Sequence, residues 1–138
     1  MPPRAFMVVW ASLTLAVAVV YVGCGGDEAG EERSVAIHYS KFEPTELTIP
    51  AGVPVTIELV NGDPIEHEWM VGDEAMHERH RTGTEPFHDE IPTEVSLRAY
   101  QTRETTIQFD EPGEYKFICH LPGHEEYGMV GVLRVVEG

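Results

Sequence analysis

Residues 115–129 read YKFICHLPGHEEYGM, and within them Cys119, His124 and Met129 stand at C-x4-H-x4-M spacing. The strand-like run up to Cys119 is introduced by the turn Glu111-Pro112-Gly113, Pro122-Gly123 comes just before His124, and Met129 follows Gly128 to open another apolar run. Taken singly, a Cys in a strand is usually a small buried hydrophobe, and a Met ten residues later is usually core. Their conjunction, spaced by turns, reads instead as a set of donors. A thiolate, an imidazole and a thioether are the side chains that hold a mononuclear copper ion, the first two tightly and the thioether as a long, weak axial donor.

Such a site lacks a second imidazole, and the stretch 61–69, NGDPIEHEW, offers His67 where a turn cluster gives way to a short strand pattern. With His67, Cys119, His124 and Met129 together, the chain resembles the cupredoxins, the blue copper electron carriers of the plastocyanin and azurin type, over about its last three quarters. The resemblance implies one copper ion cycling between Cu(I) and Cu(II). It implies Cys119 as the coloured thiolate, His67 and His124 as equatorial imidazoles and Met129 as the axial ligand. It also implies a near-surface edge on His124 framed by apolar residues, for which Leu121, Pro122 and Met70 are candidates. Glu68 departs from the family, which often has Asn there to brace the two ligand loops.

The same loop is similar to the C-terminal motif of multicopper oxidases, with His120 beside the Cys. Those enzymes also need a His just before the Cys and paired His-x-His motifs, whereas this chain has Ile118 and no such pair. Oxygen reduction is therefore not expected, no catalytic residues are assigned, and His120 is expected to point outward.

The N-terminus speaks to compartment. Arg4 is followed by an uncharged, mostly apolar run over 5–22 that ends at Gly23-Cys24, the plan of a secretory leader. Val22-Gly23-Cys24 resembles the lipobox of bacterial lipoproteins, with Tyr21 where an aliphatic residue is more usual, which implies a lipidated Cys24 as the mature N-terminus. The alternative is an uncleaved anchor, since the apolar run approaches bilayer-crossing length and Arg4 would hold its own end in the cytoplasm. Both place the domain outside the cytoplasm, in the periplasm or on the outer surface, tied to a membrane. The polar, Gly-rich sequence that begins at Gly25 favours the lipoprotein. The expected plan is a leader or anchor over 1–24, a flexible tether over 25–33 and a copper-binding domain over 34–138.

Of the two cysteines, Cys24 belongs to the leader, so no intramolecular disulfide framework is open to the exported domain. Copper ligation gives the lone thiol of Cys119 a reason to persist in an oxidising compartment. A dinuclear copper centre bridged by two cysteines is excluded, because Gly123 stands four positions after Cys119. The chain carries a net charge of −15, and loss of Arg4 with the leader leaves the exported domain more negative still. Nucleic acid and anionic lipid would repel it. The acidity serves solubility or steers the protein toward a basic patch on a redox partner.

Short strand patterns recur at 34–40, 47–49, 55–60, 67–71, 94–98, 105–109, 115–119 and 130–136, and no long segment holds helical periodicity. About eight strands punctuated by Gly and Pro predict an all-β fold, an antiparallel Greek-key β-sandwich. Sandwich loops cluster at two ends, so the His67 loop and the C-terminal loop can meet. Between strands lies an insertion, 72–92, holding Met76, His77, His80 and His88 among acids. It reads as a solvated, partly helical loop over one side of the sandwich. The alternative is an auxiliary metal site or a lid, with His77 and His80 meeting on a helical turn and His88 approaching them. The function expected is one-electron transfer between redox partners; the alternative, copper storage or delivery, would draw on that insertion.

Overall fold

A computed structural model describes residues 31–84 and 91–138. The expected leader, Cys24, most of the tether and His88 lie outside the described residues. Nine strands and one helix are found among the described residues. The strands are β1 (Glu31–His38), β2 (Lys41–Glu43), β3 (Glu46–Pro50), β4 (Val55–Asn61), β5 (His67–Gly72), β6 (Glu94–Leu97), β7 (Thr102–Ile107), β8 (Gly113–Ile118) and β9 (Val130–Val136), and α1 spans Glu74–Thr82. They form two sheets, one ordered β2-β1-β4-β7 and the other β3-β9-β8-β5-β6.

The strands exist because alternate side chains have somewhere to go. Val55, Ile57 and Leu59 on β4 are fully buried while Glu58 between the last two is exposed, the period of a strand with one face on a core. Val35 and Ile37 beside them meet Ile49, Trp69, Phe117 and Leu133 from the opposite sheet. At the centre, the Phe117 ring lies over Gly131, its partner across the β8–β9 ladder; a Cβ on Gly131 would stand 2.1 Å from that ring. Phe42 packs edge-on against Phe117 at 5.2 Å.

The sandwich is mixed rather than antiparallel. β1 runs parallel to β4 and β3 parallel to β9, while the remaining pairs are antiparallel. After β2 the chain crosses to the other sheet for β3 and returns for β4, and a strand that comes back this way lies along β1 in the same sense. The first strand begins at Glu31, so residues 31–33 of the expected tether are strand, paired with Val55, Thr56 and Ile57. β2 is the ninth strand, and its three residues are too few to show a period.

The insertion forms α1. Asp73 caps it by accepting from the Met76 N–H at 2.7 Å, Glu74 sits in its first turn, basic residues fill its last, and Gly83 closes it in the left-handed region at φ 65°. The helix is packed down on the sandwich, with His77 fully buried. The expected partly helical segment over one side of the sandwich is thus found at 74–82, mostly exposed, and the burial of His77 is the departure from a solvated one. No helix among the described residues is long and apolar enough to cross a membrane.

Candidate metal centre

Three neighbouring strands deliver the predicted ligands to one end of one sheet. β8 lies between β5 and β9, with Ile118 paired both to Met70 and to Val130. His67 opens β5, Cys119 follows the last residue of β8 and Met129 precedes the first of β9. The ladder continues one step past Ile118, as the Cys119 N–H donates to the Met129 carbonyl at 3.2 Å. Between them, Leu121-Pro122-Gly123-His124 turns back through an His124 N–H to Leu121 carbonyl bond of 3.0 Å. Pro at the second position and Gly123 at φ 83° at the third are what a type II turn requires. The Met129 N–H then closes on the His124 carbonyl at 2.9 Å.

The donors converge. His124 Nδ1 is 3.3 Å from both Cys119 Sγ and His67 Nδ1, and the donor atoms of all three residues lie within 4.8 Å of one another. Cys119, His67 and Met129 are fully buried, whereas His124 is half-buried. The Glu68 backbone N–H donates to Cys119 Sγ at 3.3 Å, so main chain ties the two ligand loops where the family's Asn is missing.

Asp63, a residue of the turn before His67, proves central to the His67 loop. Its Oδ2 accepts from His67 Nε2 at 2.9 Å and from the Ser40 N–H at 2.7 Å, and its Oδ1 from the Tyr39 N–H at 2.8 Å. Burial works against ionisation of this carboxyl. The bonds from Ser40, Tyr39 and His67 outweigh it and hold its pKa below the ordinary value, so Asp63 is charged at neutral pH. Asn61 anchors the same loop, donating to the Ile65 and Arg98 carbonyls at 2.8 Å each. Both side chains serve the ligand from polar turn positions, and only their Asx-type spacing before His67 hinted at it.

Copper fits this donor set. A carboxylate can only accept, so His67 Nε2 carries the proton and its buried Nδ1 presents a lone pair to the other two donors. Donors bound to one metal at about 2.0–2.3 Å in a trigonal arrangement stand about 3.5 Å apart, close to the separations found here. Without a cation, burial pushes the Cys119 thiol up to about 11, against the lowering effect of the Glu68 and Leu121 N–H groups. Folded chain then holds this proton over a range where unfolded chain has lost it. Stability of the copper-free protein should therefore fall as pH rises through about 9 and level off near 11, by at most ~1.4 kcal/mol per unit. Comparison with Cys119→Ser, by urea unfolding across that window, isolates the thiol: the serine variant should lack this component of the slope.

The other histidines are placed differently from expectation. His120 does not point outward: its side chain is 7 % exposed, and its Nε2 meets His77 Nδ1 at 2.9 Å, while His77 Nε2 donates to the Lys116 carbonyl at 3.1 Å. Burial lowers His120 to about 4, with His77 adding to the effect. His80 stacks on His120 at 5.4 Å between ring centroids. Arg81 grips both oxygens of Glu125, the neighbour of His124, so α1 is fastened to the ligand loop at two points. Among the described residues, His67, Cys119 and His124 are the one group of three or more His, Cys, Asp or Glu side chains close enough to share a metal; the His77, His80 and His120 rings do not make a second. Met70 is buried at 6 % exposure, which leaves Leu121 and Pro122 of the expected apolar frame around His124.

Comparison with known proteins points the same way. A family model described as a cupredoxin-like domain matches residues 5–133. The chain is 34% identical over 119 residues to the copper-resistant cuproprotein CopI of Rubrivivax gelatinosus, covering 82% of this chain and 72% of that protein. It is 30% identical over 146 residues to auracyanin-A of Chloroflexus aurantiacus, covering 86% and 90%. The solved structure of auracyanin A, a "blue" copper protein from that green thermophilic photosynthetic bacterium, superposes with a TM-score of 0.62 at 27% identity, over 76% of this chain and 98% of the other.

Proposed function

Because the chain belongs to the cupredoxin-like family, whose members bind copper, we propose that it is an extracytoplasmic one-electron carrier using a single copper held by His67, Cys119, His124 and Met129. One observation carries the reading: the ligands are braced by bonds of the protein itself. Cys119 and Met129 share a ladder bond, Glu68 ties Cys119 to the His67 strand, and Asp63 fixes His67. Bound copper supplies a one-electron couple. A ligand cage that does not rearrange keeps the reorganisation cost of that couple small, which is what a carrier needs. The half-buried His124, beside Leu121 and Pro122, gives a partner its nearest approach to the cage. Strong acidity steers such a partner through a basic patch, and the leader, as lipoprotein or anchor, keeps the domain at a membrane surface.

The second reading, copper storage or delivery, is favoured by the likeness to a copper-resistant cuproprotein. The two differ in what moves. If electrons move, self-exchange between oxidised and reduced protein, followed by NMR line broadening, is fast while the metal resists a competing chelator for hours. Rapid loss to the chelator with sluggish self-exchange would favour delivery.

Met129 is assigned the axial position because it is fully buried and its main chain bonds both Cys119 and His124. Met129→Leu should keep colour and raise the reduction potential, and Met129→Gln should lower it, since a harder donor favours Cu(II). A Met that only packs would give Leu a mild volume-conserving change with no redox effect, and would make Gln costly mainly in melting temperature.

A further inference from the structure

Asp63 does more than a turn requires. It is 5 % exposed, and the histidines His67 and His38 are its only ion-pairing partners among the described residues, His38 at 3.7 Å with a largely exposed ring. The remaining bonds of its carboxylate come from the Tyr39 and Ser40 N–H groups, and these two consecutive residues hold φ of 50° and 53°. The left-handed region is unfavourable for such side chains. The β1–β2 turn thus adopts an unfavourable backbone and aims two donors at a carboxylate that faces the buried imidazole. A neutral carbonyl would orient His67 equally well by accepting from Nε2. A carboxylate adds a full negative charge one imidazole ring away from the ligating Nδ1, in a site that excludes most water.

We propose that Asp63 is a positioning and charge residue of the copper centre: it locks His67 as an Nδ1 donor and biases the site toward Cu(II), lowering its reduction potential. The physical reason is that a hydrogen-bonded carboxylate makes the imidazole a stronger base and stabilises the more highly charged metal state more than the less charged one. The inference rests on the ligand set proposed above.

The test has a copper-free arm and a redox arm. In the copper-free full-length protein, proton–nitrogen NMR should show a slowly exchanging, strongly downfield His67 Nε2–H. A His67 protonated on Nδ1 alone, or a rapidly exchanging Nε2–H, would overturn the lock whatever the metal does. In the loaded protein, Asp63→Asn keeps an acceptor for His67 and removes the charge. Its affinity for Cu(II) should fall about 10–100-fold, and that for Cu(I) by less. Each tenfold difference between the two raises the potential by about 59 mV. An unchanged potential in a coloured, folded variant would overturn the charge role. Should Asp63→Asn fail to fold, His38→Lys leaves the bonds of Asp63 to Tyr39, Ser40 and His67 in place and exchanges the His38 contact for a permanent cation. It should raise the potential by a smaller amount that shrinks with added salt, and no shift at low salt would sink the proposal. If the wild-type protein forms no thiolate-copper site at all, the ligand assignment fails instead, and the copper-free arm still decides the lock.

Discussion

Cys119→Ser is expected to erase the intense visible band of the copper-loaded protein completely while leaving the sandwich folded. Cys119 is fully buried next to the last residue of β8, and serine is close enough in size to occupy its place without opening a cavity. The Glu68 N–H that now points at sulfur can be accepted by a hydroxyl, so the stability cost should stay near ~1 kcal/mol. The electronic loss is total, because a hydroxyl is a hard, neutral donor and cannot supply thiolate-to-metal charge transfer. Titration with Cu(II) followed by absorption, with circular dichroism to check the fold, measures both. An unaltered band in a folded serine variant would remove Cys119 from the centre.

Gly131→Ala should produce a large change with no change of chemistry. The new methyl group would stand 2.1 Å from the Phe117 ring, and that ring has nowhere to retreat, being fully buried with Phe42 at 5.2 Å and Trp69 at 6.2 Å. Overpacking of this kind costs about 1–3 kcal/mol. For a domain of this size that is a fall in melting temperature of roughly 4–12 °C. Phe117 lies two residues before Cys119 on the strand that carries the thiolate, so displacement of its ring should also shift the visible band. Melting within about 1 °C of wild type would mean that the ring does not cover Gly131 as described.

The reason the site was legible in sequence is also the reason it can be tested by single substitutions. Cys119, His124 and Met129 lie in one short loop whose Pro122-Gly123 turn and flanking strands are local features, and local features survive in a one-dimensional reading. His67 needed one further step, that sandwich loops gather at the ends. What escaped was non-local. The carboxylate of Asp63 reaches Tyr39 and Ser40 across 24 and 23 positions of sequence, and nothing in NGDP announces the contact. The parallel pairing of β1 with β4 depends on where the chain changes sheets, which alternation cannot reveal, because a strand shows the same period whichever way its neighbour runs. The outward His120 expected from the missing oxidase motifs is a further non-local miss. His120 is covered because α1, the helical part of the expected insertion, packs close enough to bring His77 to bond it at 2.9 Å.

The proposed centre has His67, Cys119 and His124 holding one copper with the thiolate in its first coordination sphere. The most direct measurement is the visible and electron paramagnetic resonance spectrum of the purified protein after addition of one equivalent of Cu(II). A strong thiolate-to-copper band with narrow hyperfine splitting, saturating at one copper per chain, is expected. Weak absorption with the wide splitting of an ordinary nitrogen and oxygen site would contradict it.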